Sequence, residues 1–244
     1  MEFASAIASD ISGICGDVFS IQIVPPGWIH FELTHSTLAT WLQSVAIGSS
    51  GGGGGDEGDE GDEGDEGDEG TIDAQCPMPH APCPMPNAQC PIRCLLFAGQ
   101  YAHARCCSLV LLAHREGLIK LREPVPNSSP AFWSVIAPNP IPWLNSDGTL
   151  RLNHSDERRL IAELVQVIDK IECPDVGSSV KWEKVALNLS QAFEKFWSNC
   201  RIWGEVKITS PEVAQARLGL LMATQSVLRF VLEENLGVFA PLEL

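Results

Sequence analysis

Gln100-Tyr101-Ala102-His103-Ala104-Arg105 lies inside an apolar run, residues 92–114, whose spacing predicts a helix. Tyr101 and Arg105 are four apart, so on a helix they share one face: a ring on which a base can stack and a guanidinium fork beside it. Such a pair can hold an unpaired base and its phosphate. The same spacing also suits a core tyrosine with a surface arginine next to it. The chemistry of the pair therefore depends on the segments around it.

Those segments are helical to the end of the chain. After the first helix comes a loop rich in proline (Pro124, Pro126, Pro130, Pro138, Pro140 and Pro142). Ser155-Asp156-Glu157 predicts the start of a second helix, residues 155–172, with an N-cap and two carboxylates beside the positive end of the dipole. It stops before Pro174. A third, residues 179–200, places Val185, Leu189, Ala192, Phe193 and Phe196 on one face. A fourth begins at Ser210-Pro211-Glu212, with proline in its first turn, and ends at Gly237. Its apolar set is Val213, Leu220, Leu221, Val227, Leu228 and Val231. Four amphipathic helices joined by loops predict a mainly α fold, a helical bundle over residues 92–244.

The chain before this bundle has two parts. Residues 18–24 and 28–33 read as strands around a Pro25-Pro26-Gly27 turn, followed by a helix capped by Thr34 or Ser36. Leu38, Trp41, Leu42 and Val45 give that helix one apolar face. This small α+β unit, residues 1–48, is near the lower limit for independent folding and should pack on something else. Residues 49–91 change character: five glycines, five Asp-Glu-Gly triplets, then Cys76-Pro77-Met78-Pro79-His80 and a near copy, Cys83-Pro84-Met85-Pro86-Asn87. Such a segment buries too little apolar surface to offset the entropy of ordering it, and reads as a disordered, acidic linker.

Charge narrows the partners. The net charge is −15, but the triplets hold ten carboxylates, leaving −5 elsewhere. All sixteen Lys and Arg residues lie at Arg93 or later, matched there by sixteen acids, while the first 92 residues carry fifteen acids and no base. Nucleic-acid surfaces usually concentrate cations, because phosphate neutralisation supplies most of the affinity. Any RNA contact must be a local arrangement within a neutral domain. Nine cysteines with no secretory signal read as reduced thiols and a cytoplasmic protein. No apolar run is expected to reach the roughly eighteen residues of a membrane span.

Cys76, Cys83, Cys90 and Cys94, with His80, follow the period of a seven-residue duplication rather than paired zinc knuckles, so no metal is expected. Cys107 and His103, one turn apart, lack a third orienting group for nucleophilic catalysis. The five glycines of residues 51–55 follow no strand, precede no Lys-Ser/Thr and adjoin ten carboxylates, so they do not cradle phosphate.

Four segments of the bundle, in order, resemble the DALR-type anticodon-binding domain of arginyl-tRNA synthetases. They are the Gln-Tyr-x-His-x-Arg stretch, the charged helix of residues 157–171, the run from Ala186 through Ala192-Phe193-Glu194-Lys195-Phe196-Trp197, and Ala216-Arg217-Leu218-Gly219-Leu220 with the tail Ala240-Pro241-Leu242-Glu243-Leu244. Pro26-Gly27-Trp28-Ile29-His30-Phe31 resembles the Gly-aromatic-Ile-Asn-Phe strand of the synthetase N-terminal domain. That resemblance implies a tRNA site from Tyr101, Arg105, Trp197, Trp203 and Leu244, with Trp28 and His30 against a base of the tRNA elbow. Trp28 keeps a stacking surface worth roughly 1–3 kcal/mol per base, while His30 replaces an amide and loses its paired hydrogen bonds. Strand core plus a surface histidine is the plainer reading of those two.

Between the two matching parts the synthetases carry a nucleotide-binding catalytic domain, with a His-Ile-Gly-His-type and a Met-Ser-Lys-type loop. Neither motif occurs here, and the acidic segment stands in that place. The resemblance thus implies a non-catalytic tRNA-binding protein with no cofactor, no metal, no catalytic residue, no membrane and no DNA partner. Its RNA would be a tRNA, with tRNA-Arg the first candidate, or a tRNA-like RNA. The rival is a protein–protein adaptor that kept the fold and lost RNA binding.

Overall fold

The computed structural model describes residues 2–47, 91–122, 135–173 and 180–243. In chain order the elements are α1 (Glu2–Cys15), β1 (Phe19–Val24), β2 (Trp28–Leu33), α2 (His35–Ile47) and α3 (Pro91–Arg115). There follow β3 (Lys120–Leu121), β4 (Val135–Ala137), α4 (Ser155–Glu172), α5 (Trp182–Asn199), α6 (Glu205–Thr209) and α7 (Pro211–Phe230), which runs into a π-helical turn, Val231–Asn235. The structure is mainly helical, a bundle with a small strand unit ahead of it. The segment at residues 49–91 and Leu244 lie largely or wholly outside the described residues.

Helix α7 is the axis of the bundle. Its residues from Ala214 to Leu228 are buried almost without interruption, including Thr224, Gln225 and Ser226. A helix buried all round belongs inside a fold, and α2, α3, α4, α5 and α6 pack around it. The hydroxyls survive burial by bonding within the helix, Thr224 Oγ1 donating to the Leu220 carbonyl at 2.8 Å. The expected apolar face of α5 (Val185, Leu189, Ala192, Phe193, Phe196) is buried as one set.

Helix α2 is part of this core. Its Ala39, Leu42 and Ala46 share one buried cluster with α7, and Leu38, Trp41 and Val45 pack against it. Thr34 caps the helix, its Oγ1 accepting from the Thr37 amide at 3.3 Å. From across the chain Gln43 Oε1 accepts the Trp143 indole N–H at 2.7 Å and the Ile141 amide at 3.1 Å. The end of the proline-rich loop is therefore threaded inward, with Ile141 and Trp143 buried.

Several expectations change. Helix α1 precedes the hairpin, with Ala4 and Ala8 buried and contacts to both strands. The cap of α4 is His154 rather than Ser155: His154 Nδ1 accepts from the Asp156 amide at 3.2 Å, and Glu157 accepts from the His154 amide at 2.8 Å. Histidine thus replaces the usual Ser or Thr of a capping box. Glu157, buried, also receives Arg217 Nε at 2.6 Å, an ion pair tying the start of α4 to α7. Finally, Leu95–Arg115 is long and apolar enough to cross a membrane by length and composition, against the expectation of no such run. Its apolarity is that of a core helix: Ala102, Cys106, Val110 and Ala113 are buried, and α3 packs on α5 and α7.

Candidate nucleic-acid interface

Two faces of α3 have opposite roles. Gly99 lies on the inward one, where an added Cβ would sit 3.3 Å from Leu232 Cδ2 and 3.5 Å from Ala186 Cβ. The outward stripe is Phe97, Tyr101 and Arg105, one turn apart. Tyr101 is 46% exposed, so it is not the core tyrosine its spacing also allowed. Phe97, which the sequence reading did not single out, stacks beside it with ring centroids 6.3 Å apart and planes 26° from parallel.

Arg105 reaches across to α5. Its guanidinium carbon lies 5.3 Å from the centre of the Trp197 ring, a cation–π contact. Trp203 meets Trp197 edge-on, centroids 5.8 Å apart at 73°. The chain reverses there because α5 ends at Cys200, Ile202 is buried, and Gly204 takes a φ of +75°, open to glycine. Arg105 makes no ion pair among the described residues.

The tail is tied to the same helix. Gln100 Nε2 donates to the Phe239 carbonyl at 2.8 Å, and His103 Nδ1 lies 2.8 Å from the Pro241 carbonyl. On its other side His103 Nε2 lies 2.9 Å from Gln225 Nε2. A carbonyl only accepts, so Nδ1 carries the proton and Nε2 accepts from the Gln225 amide. This is the neutral imidazole. Burial pushes the His103 pKa down, with Arg229 adding to that, while the Pro241 bond and Glu233 oppose it. Burial likewise raises the Cys107 thiol to about 12, which leaves it un-ionised beside His103.

The structure thus gathers Tyr101, Arg105, Trp197 and Trp203 along α3 and the end of α5, with the tail leading toward Leu244 held one residue from Tyr101. Trp28 and His30 stand elsewhere. They share the outer face of the hairpin, opposite Val24 and Gln22, and Trp28 is 69% exposed, so it is no strand core. The hairpin packs on α1, while α3 packs on α5 and α7. Among the described residues no cluster of three or more His, Cys, Asp or Glu could hold a metal. Cys76, Cys83 and Cys90 fall outside them.

Comparison with known proteins identifies the family. The profile of the DALR anticodon binding domain matches residues 99–244. The arginine–tRNA ligase of Synechococcus sp. (strain JA-3-3Ab) is 31% identical over 142 residues, 58% of this chain and 21% of that protein. The chloroplastic/mitochondrial arginine–tRNA ligase of Arabidopsis thaliana is 31% identical over 131 residues, 53% of this chain and 16% of that one. That of Salinibacter ruber is 30% identical over 148 residues, 60% and 21% of the two. The chain spans about a fifth of the length of these relatives. No solved structure matches. With its matched region running from the inward glycine of α3 to the end of the chain, this protein belongs to the DALR anticodon-binding domain family.

Proposed function

We propose that this chain is a non-catalytic, cytoplasmic tRNA-binding protein that grips the anticodon region of a tRNA, tRNA-Arg first among candidates. The exposed Tyr101 and Arg105, with the half-buried Trp197 beneath the guanidinium, carry the reading, because they offer a stacking ring and a guanidinium with no ion pair among the described residues on the family's anticodon-binding domain. The relatives are ligases, but the 244 residues contain neither synthetase loop, so no adenylate chemistry is assigned to them. Trp28 and His30 would touch a separate part of the same tRNA.

Equilibrium binding of labelled arginine tRNA at low salt tests the proposal. Tyr101→Ala or Arg105→Ala should weaken binding by about 1–3 kcal/mol without lowering the melting temperature. Few phosphates are engaged, so the log–log salt slope should match roughly 2–4 contacts at about 0.7–0.9 each. Arginine-dependent ATP–pyrophosphate exchange should stay at background, and exchange clearly above blank would end the non-catalytic reading.

The adaptor reading has an observation of its own. Phe3, Ile7 and Ile14 are exposed along one stripe of α1, on an arm without Lys or Arg. Absence of any tRNA binding at low salt would give that reading the stronger claim.

A further inference from the structure

We propose that Phe97 is a second stacking residue, so that α3 takes two consecutive unpaired bases of a single-stranded RNA segment, one on Tyr101 and one on Phe97. This rests on the reading that RNA lies along α3.

The rings stand four residues apart, a rise of about 6 Å along a helix, and their centroids are 6.3 Å apart with planes 26° from parallel. That is the loose end of the range for aromatic pairs. Phe97 is 57% exposed and Tyr101 46%, so neither ring gives the fold much burial. The inward-facing Gly99 between them sets the helix backbone against Leu232 and Ala186, which leaves the two rings as an outward ridge. The ridge continues in line: one turn on is Arg105, held over Trp197 at 5.3 Å. Ring, ring and guanidinium at one-turn intervals suit an extended strand running along the helix, its bases splayed onto the rings and a phosphate at the cation. In a bundle whose sixteen cations are matched by sixteen acids, stacking has to carry a larger share of the affinity than phosphate contacts do. Every base has a π-face, so the platform takes unpaired bases with little preference among them.

The test uses the full chain and a fluorescently labelled anticodon stem-loop of an arginine tRNA at low salt. Phe97→Ala should weaken binding about five- to hundredfold, the loss of one stacked base. Phe97→Leu, which keeps apolar bulk without a ring, should fail similarly, and Phe97→Trp should restore binding. Melting temperatures of all three should match the parent, since the side chain is largely in water. A stem-loop with an abasic position under Phe97, found by scanning the loop, should bind the parent and Phe97→Ala equally. If the parent binds and Tyr101→Ala weakens binding while Phe97→Ala and Phe97→Leu stay within about twofold, the second station is overturned and the tRNA reading stands. If the parent binds no stem-loop, the tRNA reading fails and this inference with it.

Discussion

Replacing Gly219 by alanine should destabilise the protein, although alanine is the better helix former. A Cβ at this position in α7 would lie 2.5 Å from Trp143 Cη2, 2.8 Å from Trp143 Cζ2 and 2.9 Å from Ile141 Cδ1. Carbon atoms rest about 3.5–4.0 Å apart, so the indole must retreat by roughly 1 Å. It has nowhere to go. Trp143 and Ile141 are both buried, the indole N–H is held by Gln43 at 2.7 Å, and the Trp143 carbonyl accepts from the Arg151 amide at 2.8 Å. Overpacking of this kind costs about 1–3 kcal/mol, to which a strained Gln43 bond adds about 1 kcal/mol. The gain from Gly→Ala in a helix is about 1 kcal/mol. The net loss should be about 1–3 kcal/mol, or roughly 2–4 °C in Tm per kcal/mol for a chain of this size. Urea unfolding followed by circular dichroism measures it, with an unchanged m-value showing that stability alone has moved. In a Trp143→Leu background the ring is gone and the Ile141 contact remains, so Gly219→Ala should cost clearly less than in the parent. Stabilisation in the parent background would refute the close approach of Trp143 to α7.

Two further perturbations probe buried polar contacts. Glu157→Ala should cost about 3–5 kcal/mol, because it leaves Arg217 without its carboxylate and strips one half of the α4 capping box; a loss under about 1 kcal/mol by urea titration would contradict a buried pair. For His103 the folded pKa lies below the ordinary value of about 6.5. Between the two the unfolded chain binds the extra proton, so this contribution is complete above about pH 6.5 and falls away toward the folded pKa as the pH drops. Urea midpoints from about pH 7.5 down to about pH 5 should decline, and His103→Asn should flatten that decline; identical profiles would show that His103 is not the titrating lock on the tail.

Much of the bundle was legible because long helices that bury one face repeat their apolar residues every three or four positions. The set on α5 is the clearest case, all five of its predicted core residues being buried. What escaped was non-local or disguised. Nothing near Gln43 in the chain signals that its carbonyl will meet Trp143 a hundred residues on. Helix α7 reads as one-sided because Thr224, Gln225 and Ser226 do not read as core, yet they are buried, the two hydroxyls bonding within the helix and the Gln225 amide N–H donating to His103. The α4 cap lies one residue before Ser155, because His154 takes the acceptor role usually filled by Ser or Thr. At the site, four-residue spacing put Tyr101 and Arg105 on one face, but only the fold could bring Trp197 and Trp203 to them. The histidine of Gln-Tyr-x-His-x-Arg carries its own signal, since a polar group on an apolar face is a sign of a buried hydrogen bond.

On the proposed tRNA reading, the partner of Arg105 gives a neutral bundle a way to hold a phosphate. Every Arg or Lys that makes an ion pair in the described residues (Arg151, Lys207, Arg217 and Arg229) has its charge offset by a carboxylate. Arg105 is restrained by an indole instead. A carboxylate would fix the side chain and cancel its field; an aromatic face fixes the side chain without cancelling its charge. Lysine at this position would keep the charge but lose the flat stacking surface and the bidentate fork. The two-ring ridge on one side and the Trp197–Trp203 pair on the other would then supply apolar contact in place of a cation excess. Affinity built this way depends on where one guanidinium is held rather than on how many cations the surface carries.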